Sequence, residues 1–271
     1  ARVLLALDLA LARGRYGRWL GGAIPQVETS TDACFRFQGL RHPLLIWQQK
    51  KAGGPIVVPI SVEVSSDLRV VAITGPNTGG KTVTLKSIGL AALMARAGML
   101  LPCAGQPSLP WCAQVLADIG DEQSLQQSLS TFSGHVKRIG RILTALQSGA
   151  APALVLLDEV GAGTDPSEGT ALATALLKAL ADRARLTIAT THFGELKALK
   201  YSDARFENAS VAFNPETLSP TYELLWGIPG RSNALAIATR LGMDTKVLDQ
   251  ARELLAPAGD GEVNTVIRGL E

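Results

Sequence analysis

The chain has 271 residues, 46% of them hydrophobic, and its 26 Lys and Arg against 24 Asp and Glu leave a formal charge of +2. That balance excludes the strongly basic composition of many nucleic-acid binders, while the length allows a substantial core in one large domain or two. No run of about 18 apolar residues could span a bilayer, no signal-peptide pattern opens the chain, and three cysteines without CxxC spacing point to small buried thiols in a reducing cytoplasm.

Residues 1–20 carry a helical pattern that begins abruptly, without a cap, and they read as the end of a longer helix. Arg13, Arg15 and Arg18 interleave there with Tyr16 and Trp19. A nucleic-acid stripe is one reading; a solvated helix face packing two aromatics is the favoured one. Residues 33–74 read as β-rich, with runs at Cys34–Phe37, Ile56–Val64 and Arg69–Thr74 between polar and glycine turns. A helix is predicted over Val83–Met99, then a proline-rich passage through Pro102, Pro107 and Pro110, then a strand at Val115–Asp118. Thr131–Leu146 reads as helix, Leu154–Leu157 as a buried strand, Ser167–Leu180 as helix and Leu186–Thr190 as strand. Short strands follow near Ser210–Phe213 and Tyr222–Trp226, then helices near Asn233–Leu241 and Thr245–Leu255. The glycine-rich, charged tail reads as a linker. Alternating strands and helices imply an α/β fold with a mostly parallel central sheet flanked by helices, and the flanking short strands imply an added antiparallel segment.

The chemistry concentrates at strand ends. Gly75-Pro76-Asn77-Thr78-Gly79-Gly80-Lys81-Thr82 matches G-x-x-x-x-G-K-[ST] between an apolar, β-branched run and a helical one. In that context the glycines wrap closely around phosphate and the free N–H groups of the helix start face it. Lys81 reaches the outer phosphates and the Thr82 hydroxyl ligates Mg²⁺. Pro76, Asn77, Thr78 and Val83 belong to the same expected nucleotide-contacting stretch. The run Ala153–Leu157 delivers Asp158 and Glu159 to the sheet edge where ligands of parallel sheets bind. Asp158 is expected to hold Mg²⁺ through water, and Glu159 to orient or deprotonate the attacking water. His192 closes the next strand, so its imidazole falls on the same edge, within reach of the γ-phosphate or the water. His135 reads as a partly exposed helix residue. Ser130 opens a helix as an N-cap beside a second potential anion site.

GPNTGGKTVTLK, STFSGH, LVLLDEVGAGTDP and TTHFGELKAL, in that order, resemble the motif set of the MutS ATPases. RHPLL at Arg41–Leu45 and GIPGRSNALAIATRLG extend the resemblance over roughly residues 25–256. TVTLK, GDEQSLQQSLSTFSGH and GAGTDPSEGTALA favour the second bacterial branch, the recombination-suppressing paralogue. The resemblance implies an ABC-type P-loop NTPase in which two subunits sandwich two ATP molecules. It implies that Ser130 contacts the γ-phosphate held by the partner subunit, that Asn77 approaches the γ-phosphate or water, and that the Gly161–Asp165 loop senses the partner. His192 would be the switch histidine, and Arg41, His42 and Pro43 would lie near the nucleotide, with Trp47 either beside adenine or simply buried. It implies further a homodimeric clamp on branched DNA, contacted mostly by absent domains, with stalled ribosomes another target of the branch, and no membrane partner. The segments would then be the end of a helical core (1–24), the ATPase domain (25–256) and a linker (257–271). Phe193-Gly194-Glu195 spells the Phe-x-Glu of mismatch readers by coincidence. Two other readings are weighed: a nucleotide-gated dimerisation module with incidental turnover, and a transporter subunit, which STFSG in place of LSGGQ disfavours.

Overall fold

The computed structural model describes residues 2–75, 79–120, 131–147, 152–214, 219–228, 230 and 234–255. In chain order they form α1 (Arg2–Leu20), β1 (Gln26–Glu28), β2 (Phe35–Leu40), α2 (Pro43–Ala52), β3 (Ile60–Val64), β4 (Val70–Thr74), α3 (Lys81–Arg96), β5 (Ala104–Pro110) and β6 (Gln114–Asp118). There follow α4 (Thr131–Gln147), β7 (Ala153–Leu157), α5 (Pro166–Arg183), β8 (Leu186–Thr190), a 3-10 turn at Glu195–Ala198, α6 (Leu199–Ser202), β9 (Phe206–Asn214), β10 (Ser219–Trp226), α7 (Ala234–Arg240) and α8 (Thr245–Leu255).

Strands β4, β7 and β8 are short, apolar and buried along their whole length, which requires cover on both faces. They lie inside a six-stranded sheet of order β10-β9-β4-β8-β7-β6. All its pairs are parallel except the β9–β10 hairpin at the edge. Strand periodicity divides their side chains. Val71, Ile73, Leu154, Leu156 and Ile188 join one core with Leu85, Ile88 and Ala92 of α3. Val70, Val155, Leu157 and Ala189 join another with Leu177 and Leu180 of α5. A second sheet, of order β1-β5-β2-β3, supplies the expected antiparallel segment through the β2–β3 and β2–β5 pairs. Its Phe35, Phe37, Val62 and Leu109 pack into the α3-side core.

Several elements differ from the sequence reading. The stretch read as β-rich contains α2, a ten-residue helix that buries only Pro43 and Ile46, so no broad apolar stripe announced it. Its punctuation was present all the same: proline in the first turn and left-handed Gly53 at the end. The proline-rich passage contains β5, where a register shift between Arg36 and Gln38 of β2 lets the strand carry Pro107 at an irregularity, as strand prolines require. Finally, β9 and β10 are longer than read, and a register shift between Pro220 and Leu224 places Tyr222 at φ +62. On α1, Tyr16 and Trp19 stack with centroids 5.7 Å apart and Lys50 of α2 lies over the Trp19 ring. These rings are engaged within the fold, which favours the packed-face reading over a nucleic-acid stripe. Cys103 and Cys112 are buried and Cys34 partly so, all free. Among the described residues no helix is long and apolar enough to cross a membrane.

Candidate functional site

Strand β4 is followed directly by Gly75 at φ +126, and α3 starts from Gly80 at φ +87, conformations that side chains resist. Space forbids side chains there too: a Cβ on Gly75 would stand 2.7 Å from Val211 Cγ2, and one on Gly80 2.9 Å from Tyr222 Cδ1. Gly80 brings no side-chain oxygen to cap α3, and the first turn holds no acidic residue. The positive helix end is therefore left for an anion. Pro76, Asn77 and Thr78 lie outside the described residues, as do Ser130 and Arg231–Asn233.

The Lys81 side chain is 2% exposed. Its Nζ donates to the Gly75 carbonyl at 2.5 Å and stands 3.5 Å from His192 Nε2, which in turn lies 3.5 Å from Glu159 Oε1. Next in sequence, Thr82 Oγ1 donates to Asp158 Oδ2 at 2.7 Å. Strands β4, β7 and β8 thus bring Lys81, Thr82, Asp158, Glu159 and His192 to one carboxyl edge, where the sequence placed them. Glu159 adopts φ +50, and Val83 is 40% exposed beside the loop. The following loop is held by its helix: Asp165 Oδ1 caps α5, accepting from the N–H groups of Ser167 at 2.9 Å and Glu168 at 3.2 Å.

Beside the phosphate loop lies a cavity of about 310 Å³, lined by α2 and by residues 55–58, Gly80, Val83, Thr84 and Tyr222. His42 lines it, buried, with Nδ1 lacking a hydrogen-bond partner among the described residues. Burial, and next the charge of Lys86, hold its pKa below the ordinary value. Trp47 does not line this cavity. It is 46% exposed with Lys51 Nζ 4.8 Å over its ring, so it is not the buried tryptophan the sequence allowed. His135 proves more engaged than a solvated helix residue: Nδ1 is 2.7 Å from Oδ2 of buried Asp118, whose Oδ1 accepts from Arg138 Nε. The pair ties α4 to the end of β6. Tyr222 and Thr190 were read from the sequence as strand residues only, not as parts of the site. A bulge displaces the first and a hydroxyl in a buried strand hides the second, and no motif signals either.

A mostly parallel sheet carrying a glycine loop that ends in Lys81 and Thr82, with the Asp158-Glu159 pair at the same carboxyl edge, defines a P-loop NTPase-type ATPase domain. The family description MutS domain V matches residues 71–257. The chain belongs to the MutS family, in its MutS2 branch. It is similar to the proteins named Endonuclease MutS2 of Synechocystis sp., at 60% identity over 98% of this chain and 34% of that protein; of Geobacillus kaustophilus, at 49% over 99% and 32%; and of Thermomicrobium roseum, at 48% over 98% and 34%. The chain spans about a third of the length of these relatives.

Proposed function

We propose that this chain binds ATP with Mg²⁺ and hydrolyses it in a site shared with a second copy, and that in a longer protein this cycle drives a dimeric DNA clamp that suppresses homologous recombination. The observation that carries the hydrolytic part is the convergence of Lys81, Thr82, Asp158, Glu159 and His192 through contacts of 3.5 Å or less. The cavity beside Gly80 would take the base, since it opens from the same loop that would hold the phosphates.

The donor set suits Mg²⁺. Thr82 and Asp158 present oxygen atoms only, 2.7 Å apart. Among the described residues no cluster of three or more His, Cys, Asp or Glu gathers to cage a metal, and Mg²⁺ needs none, being held by one or two carboxylates, waters and phosphates. Bound there, it would neutralise phosphate charge. Lys81 would stabilise the charge that builds as the bond between the γ-phosphorus and the leaving ADP oxygen breaks. Glu159 would take the proton of the attacking water, and His192, between Lys81 and Glu159, would sense the γ-phosphate.

Two expected results belong to this reading. Burial pushes the Lys81 ammonium down to about 8, opposed by Glu159 and Asp158 and assisted by Lys197. The folded, nucleotide-free protein therefore sheds this proton at lower pH than the unfolded chain, so this group's contribution to stability rises with pH from about 8 to the ordinary lysine value. Phosphate oxygens favour the charged form. ATP binding should thus take up a proton above about pH 8 and weaken there by up to about tenfold per pH unit. Calorimetry in buffers of different ionisation enthalpy reads that uptake, and an affinity flat across this range would contradict it.

The second result concerns the shared site. Adding ATP to Glu159→Gln protein should double the molecular mass in solution, with Ser130 of one copy meeting the nucleotide of the other. A monomer at saturating ATP would remove that arrangement. DNA is proposed to be met mainly by parts of the longer protein outside this chain, in keeping with the +2 charge, and stalled ribosomes are a second proposed target. The endonuclease of the relatives' names is proposed to reside outside the matched segment.

A further inference from the structure

Strand β8 delivers more than His192 to the sheet edge. Its last residue, Thr190, is fully buried, and its hydroxyl is used twice. Oγ1 donates to Asp158 Oδ1 at 2.5 Å and accepts the backbone N–H of Glu159 at 2.8 Å. A hydroxyl has one proton, so these two bonds fix its orientation: the proton faces the carboxylate and a lone pair faces the amide. The other carboxylate oxygen, Oδ2, accepts from Thr82. Asp158 is therefore gripped on both oxygens, by a threonine of α3 and a threonine of β8.

The same hydroxyl governs Glu159. At φ +50 this residue sits in the left-handed region, which a non-glycine side chain occupies only where its surroundings hold it. The surroundings here are largely Thr190. Its Oγ1 takes the Glu159 N–H, and its carbonyl takes the N–H of Val160 at 3.0 Å. A further bond, from Ala162 N–H to the Glu159 carbonyl at 3.0 Å, closes the turn. Register explains why β8 can do this. Leu157 pairs with Ala189, so the next residue on each strand, Asp158 and Thr190, face each other just beyond the paired segment.

We propose that Thr190 is a positioning residue for hydrolysis, its single hydroxyl fixing the Asp158 carboxylate and the Glu159 backbone relative to each other. The proposal rests on the hydrolytic reading of this site. Thr190 acts through those two residues, and partners that orient metal-holding groups typically matter by about 10- to 100-fold.

Thr190→Val removes the hydroxyl and keeps the shape and the strand preference. It should lower kcat about 10- to 100-fold while KM for ATP shifts by about threefold or less, because the phosphate loop is untouched. Thr190→Ser should recover most of the rate. In nucleotide-free, metal-free protein the Glu159 backbone amide should exchange faster in the valine variant and not in the serine one, a local effect that general destabilisation would spread over β7 and β8 alike. Thr190→Ala is read in the same way should the valine protein not fold. A hydroxyl-free variant with a kcat within about twofold of the parent, or with unchanged Glu159 amide exchange, overturns the proposal. If the unsubstituted protein releases no phosphate, the hydrolytic reading falls, and the amide exchange still decides whether Thr190 positions Glu159.

Discussion

Lys81→Ala is expected to abolish ATP binding. The ammonium is the one cationic side chain of the phosphate loop itself, and the Gly75 carbonyl, 2.5 Å away, now holds it inside the loop. A nucleotide would replace that neutral acceptor with anionic oxygens, and charge-assisted bonds of this kind contribute about 1.5–3 kcal/mol each. Two such bonds correspond to roughly two to four powers of ten in affinity, because each 1.4 kcal/mol is about tenfold. The fold should survive. Burial has already lowered this ammonium to about 8, so at neutral pH the buried cation is itself destabilising, and its loss offsets part of the cavity that truncation leaves. Titration of a fluorescent ATP analogue, with thermal unfolding as the control for folding, checks this. Tight binding by a folded Lys81→Ala protein would overturn the assignment of Gly75–Thr82 as the phosphate loop.

How far the sequence reached depended on how each residue finds its place. Lys81, Thr82, Asp158, Glu159 and His192 sit at the ends of continuous apolar runs, so finding the runs found the residues. Parallel pairing of β4, β8 and β7 then placed them on one edge without side-chain information. The cavity walls obeyed no such rule. They come from α2 and the adjoining residues 55–58, from α3 and from β10, three stretches far apart in the chain, and no periodicity connects them. Helix α2 was hidden because it buries only Pro43 and Ile46, while Leu44 and Trp47 are exposed at 62% and 46%, so its apolar residues do not line up on one buried face with helical spacing. Tyr222 reaches Gly80 only because a bulge turns the strand there. Thr190 was legible as a strand residue and illegible as a bridge, since its role depends on the register between β7 and β8, which a single sequence leaves open.

Glu159→Gln should leave ATP bound while turnover falls by about 10²-fold or more, the range expected when a positioned base is lost. Glutamine has the same shape, and the backbone contacts of residue 159 do not involve its side chain: Thr190 Oγ1 accepts the amide and Ala162 N–H donates to the carbonyl. The left-handed turn and the Asp158 carboxylate should therefore persist, as should the Thr82–Asp158 contact. What disappears is the carboxylate 3.5 Å from His192, and with it the acceptor for the proton of the attacking water. A second consequence follows from charge. Among the groups that raise the Lys81 pKa, Glu159 is the larger, ahead of Asp158. Its neutralisation lets burial lower that pKa further, so the fall in ATP affinity with rising pH should begin earlier in the variant than in the parent. Measured at or below neutral pH, binding should match the parent, and single-turnover phosphate release should separate the two proteins. Parental turnover in Glu159→Gln would remove this residue from the chemistry. An undetectable chemical step in the parent, in a sample shown to be dimeric and ATP-loaded, would instead favour a nucleotide-gated dimerisation switch.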